Sequence, residues 1–272
     1  MNDFKKAVIY ATLILYSGMI LFPVFITYSS SFREASEMFK APLSPPKSFD
    51  ISNYRKVIQK TNFLWYLANS TIVTGASIFC SLVLGTLAAY ALARYEFKIT
   101  RYLYFFLLLG LIVPIRLASL PLFILMRNLG LLDTRLSLII VYTAWRIAFT
   151  VLIMQGFFSS LPKDLEDAGR ADGCNEFQLF YKIMLPLAKP GFVIAAVYNA
   201  VPVWNDFFFP LIFIRSDRLN TLALAVSNFF GEYSVAWGQV FAFLGLTILP
   251  IITLYVVMSK QFIKGMTAGA FD

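Results

Sequence analysis

Histidine is absent from all 272 residues. That removes Ser-His-Asp triads, histidine-ligated metals and histidine proton relays together. The two cysteines, Cys80 and Cys174, have neither metal-site spacing nor a disulfide framework. Cys80 lies in an apolar run and reads as a small buried hydrophobe. Charge is scarce, at 14% of residues, against about 25% in a soluble domain. No Gly-x-x-x-x-Gly-Lys-Ser/Thr loop is present, so nothing in the chain would cradle nucleotide phosphates. The apolar segments hold no paired carboxylates for acid–base work. The sequence therefore points away from an enzyme and requires no cofactor or metal.

Hydrophobic residues make up 59% of the chain and fall in long blocks. A membrane-crossing helix takes about 20 apolar residues, and six such spans can be drawn. They run over 8–28, 70–92, 102–126, 136–158, 188–214 and 238–259. Backbone groups in hydrocarbon must bond within their own segment, so the spans are helices. The alternation of a membrane barrel strand is absent. The expectation is an all-α integral membrane protein, residues 1–272 forming one transmembrane domain. Lys5 and Lys6 ahead of an apolar stretch imitate a signal peptide. The stretch is long enough to span, however, and no small-x-small site follows, so it reads as a retained first helix. There is no obvious internal repeat.

The net charge of +8 is not a nucleic-acid footprint, because the basic residues are scattered rather than striped among aromatics. Such an excess suits lipid headgroups and cytoplasmic loops. Even span number puts both termini on one side. Lys and Arg outside the spans divide almost evenly between the two sides, and only the tight basic turn Arg94–Arg101 leans towards cytoplasmic termini. Between spans one and two lies a polar stretch, 29–62, whose Ala41–Pro46 segment cannot be helix interior.

The informative segment is the polar loop 159–187. Pro162 suits a helix start, and Asp164, Glu166 and Asp167 suit the positive end of its dipole. Gly173 supplies a left-handed stop. Asn175 and Gln178 have the spacing of a capping box for a second helix. That helix would place Phe177, Phe180, Tyr181 and Met184 on one face and end at Pro186. Such an elbow is shaped either to dock into a partner or simply to connect two spans.

At these residues the chain resembles the permease subunits of ABC importers. Their loop reads Glu-Ala-Ala, three residues, Gly, then about nine residues to Ile-x-Leu-Pro. Here Asp167-Ala168-Gly169, Gly173 and Ile183-Met184-Leu185-Pro186 stand at those places, with aspartate for the usual glutamate, Glu166 beside it, and glycine for the second alanine. The carbohydrate-uptake branch is resembled through Asn69-Ser70, Ala88–Arg94, Asn128–Thr134, Trp204–Phe207 and Gly265–Ala270, especially its shorter maltose-type subunits. The resemblance implies a type I importer fold with the elbow and both termini in the cytoplasm of a prokaryote. It implies a sister permease, a dimer of ATPase subunits, an extracytoplasmic sugar-binding protein and a sugar substrate. Glu166, Asp167, Ala168, Gly169, Asp172, Gly173, Ile183, Leu185 and Pro186 would then carry ATPase coupling. In the implied cycle, ATP closes the ATPase dimer and the elbow moves as a rigid body, turning the pathway outward.

Arg116 and Arg146 fall inside spans three and four, where an arginine marks a pathway unless it is paired or snorkels. Pro114 beside Arg116 is positioned to break span three. Trp204, Asn205 and Asp206 offer a ring and polar groups to a sugar, or pack against lipid and the sister chain. Two other readings remain: an importer for glycerol phosphate, its phosphate met by the arginines, and, more remotely, an ion-coupled secondary transporter.

Overall fold

A computed structural model describes residues 3–95, 98–230 and 235–268, with side chains as far as Ser259. Among these residues there is no β-strand, only an isolated bridge between Phe230 and Val235. Four helices are long and apolar enough to cross a membrane, or six spans if two bent pairs each count once. The chain divides into two compact units, one built from residues up to Leu64 with Ala225–Pro250, the other from Trp65–Leu224 with the residues from Ile251 onward.

The first unit contains α1 (Asp3–Ser31), α2 (Ala35–Lys40) and α3 (Ser52–Lys60). None of the apolar stretch of α1 is buried within the chain, so its surface is left for lipid or another subunit. Its last turn is tied down. The Tyr28 hydroxyl donates to the Gly245 carbonyl at 2.9 Å, and Ser31 Oγ lies 2.7 Å from the Tyr54 hydroxyl. The segment between spans one and two is more ordered than its prolines suggest. Arg33, only 3% exposed, donates to the carbonyls of Glu37 and Ala41 at 2.7 Å and to that of Pro42 at 3.3 Å. It satisfies the carbonyls at the end of α2, and the Ala41–Pro46 stretch stays outside any helix.

The second unit holds α4 (Phe63–Arg94, beginning two residues before the unit), α5 (Thr100–Ile112), α6 (Ser119–Asn128) and α7 (Arg135–Ser160). After these come α8 (Asp164–Ala171), α9 (Glu176–Leu187), α10 (Lys189–Trp204), α11 (Phe208–Phe213) and α12 (Leu222–Ala225). The last helix, α13, runs Trp237–Ala268 and belongs to both units. The Gly265–Ala270 motif is helical to Ala268, and its last two residues lie outside the described residues. One apolar core collects Val73, Leu82, Met126, Val141, Phe209 and Phe213, where α4, α6, α7 and α11 meet. Cys80 is half-buried, not fully buried as its apolar setting suggested.

Two of the six expected spans are discontinuous. Span three turns by 89° between α5 and the following helical segment, 115–128. The break falls at Val113-Pro114, where proline excludes a helical conformation for the residue before it. Span five is also interrupted, at Asn205–Phe207 between α10 and α11. A 73° bend at Ala188 separates α9 from α10. Pro186 does not end the elbow helix as the sequence suggested. Instead Leu179–Met184 widens into a π turn and the helix continues to Leu187. Pro186 has no N–H to offer the preceding turn, and widening that turn relieves the clash without stopping the helix.

Candidate functional site: the elbow and the broken spans

The elbow begins where α7 ends. The carbonyls of Pro162 and Lys163 close the first turn of α8. Its C-terminus is a Schellman stop: Cys174 N–H bonds the Gly169 carbonyl and Gly173 N–H that of Arg170, both at 3.0 Å. Gly173 has φ +85°, the left-handed conformation that side chains disfavour. The expected capping box follows. Gln178 N–H donates to Asn175 Oδ1 at 2.9 Å, and Asn175 N–H donates to Gln178 Oε1 at 3.1 Å.

Gly169 has a separate task. A Cβ there would lie 2.5 Å from Leu179 Cδ2 and 2.7 Å from Ile183 Cδ1. The missing methyl is what lets α8 rest on α9. Leu179, Phe180 and Met184 are buried, and Phe180 and Met184 join Tyr90, Met154 and Phe158 beneath the elbow. The expected single aromatic face is divided. Phe177 and Tyr181 point outward, 69% and 45% exposed, with rings 5.4 Å apart. The reason is the tight α8–α9 contact, which draws in the side of α9 carrying Leu179 and Ile183.

Adjacent acids of α8 do opposite things. Glu166 is buried: its Oε1 lies 3.2 Å from Arg94 Nε at the end of α4 and accepts from the Tyr90 hydroxyl at 3.1 Å. Arg94 also donates to the Leu161 carbonyl at 2.9 Å. Asp167 faces solvent and pairs with Arg170 at 3.1 Å. Arg170 reaches on to Glu176 Oε1 at 2.9 Å, and the Tyr95 hydroxyl holds the other Glu176 oxygen. The Arg170 bond first, then that of Tyr95, keeps the Glu176 carboxyl below the usual glutamate range. The elbow is thus braced inside by Arg94–Glu166 and outside by Arg170–Glu176. Its outer surface offers Asp164, Asp167, Ala168, Asp172, Phe177 and Tyr181. Leu185 and Pro186 lie apart from that surface, lining with Lys189 and Phe192 an open apolar hollow of about 300 Å³.

The two span breaks meet. Arg116, after the break in span three, lies 3.9 Å from Asp206 Oδ1 in the break of span five, and its guanidinium sits 5.5 Å from the Phe208 ring centroid. Asp206 is buried, accepting from the Tyr142 hydroxyl at 2.7 Å and the Phe209 N–H at 3.0 Å. The Arg116 side chain is 70% exposed. Of the residues suggested for a sugar, Arg116 and Asn205 are exposed, whereas Trp204 is turned into the core. The accessible ring is that of Phe207. Arg146 is buried with its guanidinium 3.5 Å from the Trp145 ring centroid, and no carboxylate lies within ion-pair distance of it among the described residues.

A further arrangement was not apparent from sequence, although the motifs forming it were. Asn69, fully buried, donates to the carbonyls of Arg218 and Asn220 at 2.8 and 2.9 Å and accepts from Arg135 Nε at 2.7 Å. Ser70 Oγ accepts from Leu222 N–H, and the Tyr66 hydroxyl donates to Asp217. Asp133, with φ +58°, accepts from the backbone N–H groups of Arg215 and Ser216 at 2.9 Å and from the Ser216 hydroxyl. These bonds, the Ser216 hydroxyl foremost, hold its carboxyl below the usual aspartate range. The Asn69-Ser70 and Asn128–Thr134 motifs therefore clasp the loop 214–222.

Residues 81–271 match the family described as the inner membrane component of binding-protein-dependent transport systems. The chain belongs to this family. It is 33% identical over 268 residues to the diacetylchitobiose uptake system permease protein NgcG of Streptomyces coelicolor, covering 97% of this chain and 88% of that one. It is 30% identical over 253 residues to the arabinooligosaccharides transport system permease protein AraQ of Halalkalibacterium halodurans, covering 92% and 90%. Among solved structures it matches a chain of a bacterial ABC transporter involved in the import of the acidic polysaccharide alginate. The TM-score is 0.83 at 25% identity, over 96% of this chain and 97% of that one. The all-α importer-permease fold expected from the sequence is the one found. As a family member the chain is a membrane transport subunit rather than an enzyme.

Proposed function

We propose that this chain is one of two permease subunits of an ATP-driven saccharide importer, acting as a single transmembrane domain. A sister permease completes the pathway, an extracytoplasmic binding protein delivers the sugar, and partner ATPase subunits hydrolyse ATP. The observation that carries this reading is the elbow. It is a rigid pair of short helices, braced to α4 through Glu166–Arg94, with an outward acidic and aromatic surface. Such an element passes a displacement on as a body. The ATPase seats against Asp164, Asp167, Asp172, Phe177 and Tyr181, so the elbow and both termini are cytoplasmic.

The meeting of broken spans at Arg116, Asp206, Asn205 and Phe207 is the candidate pathway, since interrupted helices inside transporters line their cavities. The substrate class follows the saccharide systems among its relatives. Asp206 offsets the charge of Arg116, which suits a neutral sugar.

The test has two arms. A cysteine at position 172, in a Cys174→Ser background, is expected to resist an impermeant thiol reagent in intact cells and to react after permeabilisation. Labelling from outside would overturn the orientation. The purified complex in lipid is expected to couple ATP hydrolysis to uptake of a neutral oligosaccharide. A complex that moves only phosphorylated or acidic solutes would refute the neutral-sugar assignment.

A further inference from the structure

We infer that Arg146 is a second partner for the Asp206 carboxylate, held in reserve until a sugar engages Arg116. This deepens the pathway reading proposed above and rests on it. Arg146 is then a positioning residue. It does not touch the sugar; it takes over Asp206 and so frees Arg116 to bind.

Asp206 is incompletely held. Its two hydrogen bonds, from the Tyr142 hydroxyl and the Phe209 N–H, both end on Oδ2. Oδ1 meets Arg116 at 3.9 Å, beyond hydrogen-bond length. The Arg116 side chain is largely exposed, and an ion pair so placed is weak. A sugar hydroxyl can compete for that guanidinium. Once it does, the buried carboxylate has lost its counter-charge, a costly state unless another cation replaces the first.

Arg146 has the complementary need. It is more than nine-tenths buried in a membrane-spanning helix. Among the described residues it has no carboxylate within ion-pair distance, and its Nε has no hydrogen-bond partner. The contact with the Trp145 ring offsets only part of the cost of keeping a charge out of water. The charge that Arg146 lacks is the one that Asp206 would have to spare.

The two groups are neighbours. Tyr142 and Arg146 are four residues apart on α7 and share a face, and helical side chains lean towards the helix N-terminus. The Arg146 arm therefore extends towards the turn from which Tyr142 holds Asp206. The Trp145 ring beneath its guanidinium lies 6.4 Å from the Tyr142 ring, and Asp206 is within electrostatic reach of it. Thr150, one turn further on, accepts from Asn199 of α10 at 2.9 Å. Tyr142, Arg146 and Thr150 thus form a buried polar seam along α7, facing α10 and the break that follows it. The first and third residues bond across the seam. Arg146 completes it by rotating towards Asp206 Oδ1.

The test measures equilibrium binding of radiolabelled short neutral oligosaccharides to the complete complex in nanodiscs, the one bound best by the wild type serving as the probe. Arg146→Met is expected to assemble with an unfolding temperature no lower than that of the wild type, because it deletes an uncompensated buried charge. It should nevertheless raise the dissociation constant of the sugar about tenfold, an ordinary size for coupling between two sites. Arg146→Lys keeps a cation and should recover most of that loss. In an Asp206→Asn background, where the amide oxygen still accepts from Tyr142 and Phe209 but needs no counter-charge, Arg146→Met should add almost nothing. An unchanged dissociation constant in Arg146→Met would overturn the inference. So would a full additional loss in the Asp206→Asn background, which would mean that Arg146 acts on the sugar independently. A lower unfolding temperature or lost assembly in Arg146→Met would give the residue a structural role and overturn it equally. A wild-type complex that neither binds nor imports a saccharide would defeat the transport reading itself, and this inference with it.

Discussion

Glu166 of the elbow lies 3.2 Å from Arg94 of α4, and both side chains are more than nine-tenths buried. Removing one member leaves the other's charge buried alone, which costs about 3–5 kcal/mol. Glu166→Ala should therefore lower the unfolding temperature of the detergent-solubilised complex and abolish coupling. An apolar exchange of both residues, Arg94→Met with Glu166→Leu, should recover much of the stability, since a buried pair is often replaceable by well-packed hydrophobes. Asp167→Lys, one residue away on the outer surface, should leave thermal stability unchanged and reduce co-purifying ATPase. If Glu166→Ala and Asp167→Lys behave alike, the inward and outward assignments of the two acids are wrong.

The two glycines of the elbow should fail differently. Gly173 needs its conformation but has open space around a Cβ. Gly173→Asn should be mild, because asparagine tolerates the left-handed region, whereas Gly173→Val should cost about 1 kcal/mol or more. Gly169 needs its missing methyl, so Gly169→Val should force α8 from α9 and uncouple ATP hydrolysis from uptake more severely than Gly173→Asn. Membrane insertion should survive in all three. Hydrolysis and uptake measured on the same purified complexes decide the order.

Arg116 and Asp206 are paired yet unequally placed. Arg116→Leu removes an exposed guanidinium, so uptake should fall while the complex still assembles. Asp206→Ala leaves the buried Tyr142 hydroxyl and the Phe209 N–H without their acceptor, at about 1–3 kcal/mol each. It should reduce assembly as well as transport. Quantifying assembled complex beside uptake separates the two. Normal uptake in Arg116→Leu would remove that residue from the pathway.

Acid should loosen the elbow through Glu176. Its carboxyl is held below the ordinary range by Arg170 and Tyr95. The stabilisation is whole above the ordinary glutamate value of about 4.3 and is lost as pH falls through the lower folded value. Amide hydrogen exchange over 170–180, corrected for intrinsic rates, should accelerate only below about pH 4. Arg170→Met should exchange faster at neutral pH and lose that acid dependence.

What could be read from sequence was what local chemistry decides. The Gly173 stop and the Asn175–Gln178 box depend on residues within a few positions of one another, and both formed as expected. The break at Pro114 was visible because proline acts on its own neighbour. The Asn205–Phe207 break had no such marker, since it rests on Asp206 reaching Tyr142 and Arg116 on other helices. Glu166 and Asp167 looked interchangeable in a linear motif. Only the position of Arg94 at the end of another helix distinguishes them. The aromatic face of α9 was misjudged at Phe177 and Tyr181 because a regular wheel takes no account of the close approach at Gly169.

The bond from Tyr28 to Gly245 spans 217 positions of chain, and this sets a delay during synthesis. At ordinary translation rates, roughly 10–40 s pass between the emergence of the first residue and that of the second. Throughout that interval α1 has no partner within its own chain for its apolar stretch. When residue 245 arrives it fastens only the last turn of α1, while the apolar stretch stays unburied by its own chain, against lipid or another subunit. A ribosome stalled before residue 245 would leave that last turn held by the nearby bonds of Ser31 to Tyr54 and Asn53 alone.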